Sequence, residues 1–223
     1  MRIPTRPERE RLIRAMTGKR GDAMSAPLFK TDILFAQRLL SSAGLYDGKL
    51  DGKWNDVLDQ AESAFDKSYN DTASQLGSFD PRSEDAIATL LPKAQVLARK
   101  FMNAAANAPF QVKLLSGTRT YAEQDALFAQ RPKVTNARGG QSNHNFGIAW
   151  DVGIFVNGKY YEGKTAAEDK AYADLAALIK GALQGLEWGG DWKTFQDDPH
   201  YQLATGKTVS QIRALLENGK PYV

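Results

Sequence analysis

The stretch "IAWDVGIFVNGKYYEG", residues 148–163, most limits what this chain can fold into. Its β-branched and aromatic residues predict a strand, Asn157-Gly158 a tight turn, and "KYYEG" a second short strand. Strands joined by so short a turn run antiparallel. Most of the other clearly patterned segments are helical. The expected fold is therefore α+β: a small antiparallel sheet flanked by helices, with an N-terminal helical segment.

The helical readings rest on 3–4 spacing. "DILFAQRLLSSAG" carries Ile33, Leu34, Gln37, Leu40 and Ala43 and closes at Gly44. "YDGKLDG" is turn chemistry. "KWNDVLDQAESAFDKSY" then predicts a second helix through Trp54, Val57, Leu58, Ala61 and Phe65. Residues 28–70 form one helical segment, and the polar residues 71–81 read as a linker to a domain over 82–223. Within that domain, "SEDAIATLLPKAQVLARKFMNAAANA" is helical, with Ser83 as a cap and a break or kink at Pro92. "PFQVKLLSGTRT" is a strand running into a loop. "TYAEQDALFAQ" is a helix with Ala126, Leu127 and Ala129 facing inward. "VTNARGGQSNHNFG" is a loop and "AAEDKAYADLAALIKGALQG" a helix. "LEWGGDWKTFQDDPHYQLA" is irregular apart from a strand around His200. "TVSQIRALLENG" closes the chain as a helix capped by Thr208 or Ser210.

Charge and composition exclude several classes of function. The net charge of +3 is uneven, because residues 1–20 hold seven Lys/Arg against two Glu. The rest of the chain is slightly acidic, so nucleic-acid binding by the folded body has little support. Residues 1–27 read as a basic, mobile tail, and Met24 offers a second start. No apolar run is long enough for membrane insertion, and the first twenty residues lack the apolar core of a Sec-type signal peptide. With no cysteine among 223 residues, thiolate metal sites and thiol nucleophiles are ruled out.

Only two histidines are present, His144 in "GGQSNHNFGIAWDVG" and His200 in "QDDPHYQL". Both lie among glycines and aspartates. A catalytic zinc commonly takes three His or carboxylate ligands, and His144, Asp151 and His200 make up such a set. The seven-residue separation of His144 and Asp151 is restrictive. On a continuous helix it means a rise of roughly 10 Å, and on a continuous strand it puts the two side chains on opposite faces. A shared ion therefore needs a turn between them, which Gly147 can supply with φ > 0. The spacing permits this site without requiring it. A zinc hydrolase also needs a carboxylate to move the proton of the attacking water. Asp197 and Asp198 both stand near His200, and spacing does not choose between them. Arg119, at a strand end, is the candidate cation for a scissile carbonyl or a substrate carboxylate. HExxH, GxSxG, GxGxxG and Walker A patterns are absent.

"SGTRTYAEQDALFAQ", "VTNARGGQSNHNFGIAWDVGIF", "EWGGDW" and "DDPHYQL" occur in that order. Together they resemble the zinc D-alanyl-D-alanine carboxypeptidase superfamily, and within it the L-alanyl-D-glutamate endopeptidase branch common among phage endolysins. The resemblance covers about residues 80–205. It implies Zn2+ held by His144, Asp151 and His200, with Asp197 as the catalytic carboxylate in preference to Asp198. It also implies Arg119 as the catalytic arginine and Ser142 as a loop-ordering residue. Trp188 and Trp192 are candidates for the substrate cleft or for the core, and Trp150 for the core. The substrate implied is the peptide stem of peptidoglycan, cut by a monomer that acts on the cell wall after holin release or injection. A D,D- or L,D-carboxypeptidase or a secreted antibacterial effector on the same scaffold, and a non-catalytic wall-binding protein, are the alternatives. "QRLLSSAGLYDGKLDG" with "AESAF" also resembles the small helical peptidoglycan-binding module; its plain alternative is a hairpin that buttresses the main domain.

Overall fold

Apolar spacing and caps account for the helices of the computed structural model, which describes residues 29–223. The basic tail, residues 1–27, lies outside the described residues. Helices α1 (Lys30–Ser42) and α2 (Asp56–Leu76) form the N-terminal hairpin. Helix α2 is capped by the Asn55 side chain, which accepts from Leu58 N at 2.8 Å. It continues through most of the stretch read as a linker. Phe65, Tyr69, Thr72 and Leu76 keep a helical face despite the polar composition, and only residues 77–80 separate this helix from the next.

Helix α3 (Pro81–Ile87) is capped by Asp80 rather than Ser83. Ser83 is buried: its hydroxyl donates to Asp80 Oδ2 and accepts from Leu114 N at 3.0 Å. Pro92 opens α4 (Pro92–Ala105), a separate helix, at the position where its missing N–H costs nothing. Helices α5 (Tyr121–Ala129), α6 (Ala166–Ala182) and α7 (Val209–Glu217) follow as read, with Thr208 capping α7. Helix α5 departs from expectation in its inward face. Ala126 and Ala129 are exposed, and Gln124 is buried instead. Gln124 Nε2 donates to Ala137 O at 3.0 Å, so a polar contact rather than an apolar one seats this helix.

Five strands make one antiparallel sheet: β1 (Gln111–Ser116), β2 (Ala149–Val156), β3 (Lys159–Tyr161), β4 (Leu186–Trp188) and β5 (His200–Leu203). The order is β1-β2-β5-β4, with β3 also paired to β2. The fold is the expected α+β, with β4 added where irregular chain was read. Side-chain alternation gives the sheet two different faces. Trp150 and Tyr201, paired across β2 and β5, face a core shared with α4 and α6, where the Phe101 ring meets both edge-on. The next pair, Asp151 and His200, faces away from that core.

A second apolar cluster joins the N-terminal hairpin to the main domain. Phe35, Leu39, Leu58 and Phe65 pack with Phe146, Ile148, Ile212 and Tyr222. The hairpin thus shares its interior with the loop that leads into β2.

Candidate active site

Three backbone devices bring the site together. First, Gly147 ends a 3-10 turn (Asn143–Phe146) in the left-handed region at φ +66. The chain reverses there, and His144 looks back at Asp151. Second, the β2–β5 register sets Asp151 directly opposite His200. Third, β1 shifts register between Leu114 and Ser116, which puts Ser116 opposite Asp151 on the other side.

His144, Asp151 and His200 present ligand atoms that all lie within 4.8 Å of one another. His144 Nε2 is 3.1 Å from Asp151 Oδ1 and 3.2 Å from His200 Nδ1. The outer nitrogens decide what the inner ones offer. His144 Nδ1 is 2.7 Å from Gly117 O, and a carbonyl only accepts, so Nδ1 carries the proton. The inner Nε2 of the neutral ring is then a lone pair. His200 Nε2 lies 3.0 Å from Gln202 Oε1 in the same sense. Two imidazole lone pairs and a carboxylate oxygen therefore converge on one point, a donor set suited to a cation of the zinc type. Burial pushes the His144 ring down, toward the neutral form that ligation needs. Burial pushes the Asp151 carboxyl up, but His144, His200 and Arg119 outweigh it and hold it well below the usual carboxylate range.

The second oxygen of Asp151 is also committed. Ser116 Oγ donates to Oδ2 at 2.7 Å, and Arg119 Nη2 pairs with the same atom. Arg119 thus forms a salt bridge with a site carboxylate, while its guanidinium still lines the cleft. Ser142 caps the 3-10 turn, and Asn145 completes its capping box. Asn145 is fully buried and donates to Arg119 O at 2.9 Å while accepting from Gly140 N at 2.9 Å. It clips the His144 loop to the Arg119 loop.

The cleft over this site has a volume of about 770 Å³ and is lined by residues including Arg119, Asp197, Trp192 and all three metal-capable side chains. Asp197 faces it and Asp198 is not part of its wall. Asp197 N donates to Gly189 O at 3.2 Å, and Asp197 O accepts from His200 N at 3.0 Å. A Cβ at Gly189 would overlap Asp197 O, so the glycine of "EWGGDW" allows this close approach. Burial, with Asp151 adding to it, raises the Asp197 carboxyl above its ordinary range.

The two tryptophans separate. The Trp192 ring stands 4.9 Å from the His200 ring, on the cleft wall. Trp188 lies outside that wall. It packs on the sheet core and donates from Nε1 to Asp198 O at 2.8 Å, which steadies the loop before His200. Trp150 is fully buried. Sequence reading missed Ser116, Asn145, Gln202 and Glu187. Of these, only Gln202 carried a signal, being two residues after His200 and so on the same face of a strand.

Residues 135–203 match the family model described as D-alanyl-D-alanine carboxypeptidase. The chain is 38% identical over 111 residues to the peptidoglycan L-alanyl-D-glutamate endopeptidase CwlK of Bacillus subtilis (strain 168). That alignment takes in 45% of this chain and 65% of CwlK, so the chain spans just under two thirds of this relative. The crystal structure of the Serratia marcescens L-Ala D-Glu endopeptidase ChiX is 28% identical, covers 56% of this chain and 88% of its own, and superposes with a TM-score of 0.44. The chain resembles the D-alanyl-D-alanine carboxypeptidase superfamily, and within it the L-alanyl-D-glutamate endopeptidase branch, with His144, Asp151 and His200 inside the matched residues.

Proposed function

We propose that this protein is a zinc-dependent peptidoglycan peptidase that cuts the peptide stem at the L-Ala–D-Glu bond and acts as a cell-wall lytic enzyme. One observation carries the reading: two imidazole lone pairs and a carboxylate oxygen converge at the floor of a cleft that Asp197 and Arg119 also line. The likeness to CwlK supports the choice of bond.

His144, Asp151 and His200 would hold the metal. When bound, zinc supplies Lewis acidity for water and for the scissile carbonyl. Asp197 takes the proton of the attacking water and returns it to the leaving amine. Its upward-shifted carboxyl suits both halves of that transfer. Arg119, held by Asp151 and Ser116, offers its remaining N–H groups to negative charge developing on the carbonyl oxygen. Trp192 forms the wall beside His200 and shields that side from water. All three metal-capable side chains come from one chain, so the reading needs no second copy. Among the described residues no helix is long and apolar enough to cross a membrane. The proposed place of action is the cell wall, reached by holin release or injection.

Zinc content and muropeptide mass spectrometry test the proposal together. The expected result is one zinc per chain and a new free L-Ala carboxyl on the glycan side of digested sacculi, lost on chelation and restored by zinc. Release of terminal D-Ala alone would reassign the enzyme as a carboxypeptidase. Binding to sacculi by the zinc-loaded protein with no release would make it a wall-binding protein.

A further inference from the structure

Gln202 lies two residues beyond His200 on β5, almost fully buried, and its side-chain amide has a forced orientation. Gln202 Nε2 donates to Glu187 Oε2 at 2.6 Å. Its Oε1 accepts from Asn143 Nδ2 at 2.6 Å and faces His200 Nε2 at 3.0 Å. Turned over, the amide would set its oxygen against the Glu187 carboxylate and its NH2 against the NH2 of Asn143. Glu187 only accepts, so it fixes which end of Gln202 meets the histidine.

That orientation sets an acceptor against His200 Nε2. A carbonyl oxygen at Nε2 requires the proton there, which leaves Nδ1 as the lone pair. Nδ1 is the atom that faces His144 Nε2 at 3.2 Å and Asp151 Oδ1 at 3.4 Å. The other histidine is oriented by a main-chain carbonyl, Gly117 O, which no substitution removes. The two ligands therefore differ: one tautomer is set by the backbone and the other by a chain of side chains.

We infer that Gln202, held in register by Glu187 on β4, is a positioning residue that fixes the Nε2–H tautomer of His200 and so presents Nδ1 to the metal. The inference rests on the metallopeptidase reading for its purpose, but the tautomer belongs to the metal-free protein. Partners of ligating histidines affect metal affinity by roughly 10–100-fold when lost. Glu187 touches no ligand and is not itself part of the cleft wall, so changing it acts on the site through the orientation of Gln202.

The test is 15N NMR of the His200 ring in the metal-free, full-length protein in mildly alkaline buffer, with zinc affinity measured by chelator competition. Wild type should show a protonated Nε2 and a bare Nδ1. Glu187→Gln replaces an acceptor-only group with an amide that can also donate, so Gln202 is free to turn over; this should populate the Nδ1–H form and weaken zinc binding about 10-fold, within the range for such partners. Gln202→Ala should do the same more strongly. The double variant E187Q/Q202E reverses the pair: a carboxylate then accepts from His200 and Asn143 while the new amide donates to it. It should restore the wild-type tautomer and recover most of the affinity. A bare Nε2 in the wild type would overturn the inference, as would an unchanged tautomer and zinc affinity in both single variants. A wild type with the expected tautomer but no zinc affinity would instead refute the metallopeptidase reading and leave the positioning role standing.

Discussion

Asp151 and His200 are direct cross-strand partners, one residue along from the buried pair Trp150 and Tyr201. Packing of the aromatic pair on one face sets the position of the chemical pair on the other. A slip of one residue between β2 and β5 would bury the carboxylate and expose the tryptophan, so the core enforces the register that the site needs.

Asp197→Ala should keep zinc at wild-type stoichiometry and lower the rate of stem cleavage by at least about 100-fold, the usual contribution of a general base. His144→Ala should lose both metal and activity. Metal analysis beside muropeptide release separates the two outcomes. An Asp197→Ala enzyme that works at the wild-type rate would remove Asp197 from the mechanism.

Gly147→Ala should destabilise the fold by about 1–2 kcal/mol, the cost of left-handed backbone for a residue with a Cβ. The new methyl would also lie 3.0 Å from Leu91 Cγ. Chemical denaturation measures the loss. Zinc affinity should fall with it, because this turn aims His144 at Asp151.

Phe65→Ala should cost about 3–5 kcal/mol, as expected for truncating a fully buried aromatic residue. Phe65 shares its cluster with Phe146, Ile148 and Tyr222, so the whole protein should melt in one transition at a lower temperature. Two transitions, with only the first one shifted, would show that the N-terminal hairpin is an independent module.

Glu84 and Arg99 predict a pH dependence. The Arg99 guanidinium is buried and grips both oxygens of Glu84 at 2.8 Å. Burial pushes the Glu84 carboxyl up, but Arg99, Tyr69 and the Phe79 N–H outweigh it, and the net shift is downward. A carboxyl lowered by folding stabilises the native state above its unfolded pKa, about 4.3, and that contribution is lost as pH falls through the lower folded value. Wild type should therefore exceed Glu84→Gln in stability at neutral pH, and the gap should close below about pH 4. Urea midpoints across pH check this.

Much of this molecule can be read from local sequence. Spacing and caps mark the helices, Asn157-Gly158 marks the β2–β3 hairpin, and Gly147 marks the turn that the His144–Asp151 spacing demands. What stayed hidden depends on distant pairing. Nothing near Ser116 announces that a register shift sets it against Asp151. Strand β4 is only three residues long and gains its identity from β5. The end of α2 reads as linker because its surface is polar, although Tyr69 lies against the buried Arg99. Helix α5 conceals its inward face because a glutamine fills it. Arg119 was legible as a cleft cation, but its bond to Asp151 required knowing which strand ends meet.

The segment from His144 to Asp151 crosses a seam. Phe146 and Ile148 are rooted in the cluster under the N-terminal hairpin, whereas Trp150 and Val152 belong to the cluster under the sheet. His144 is thus anchored to one interior, and Asp151 and His200 to the other. An ion gripped by all three would act as a rivet between the two clusters. Loading the metal should stiffen the joint and raise the unfolding temperature of the entire protein, beyond anything the few atoms around the ion would suggest.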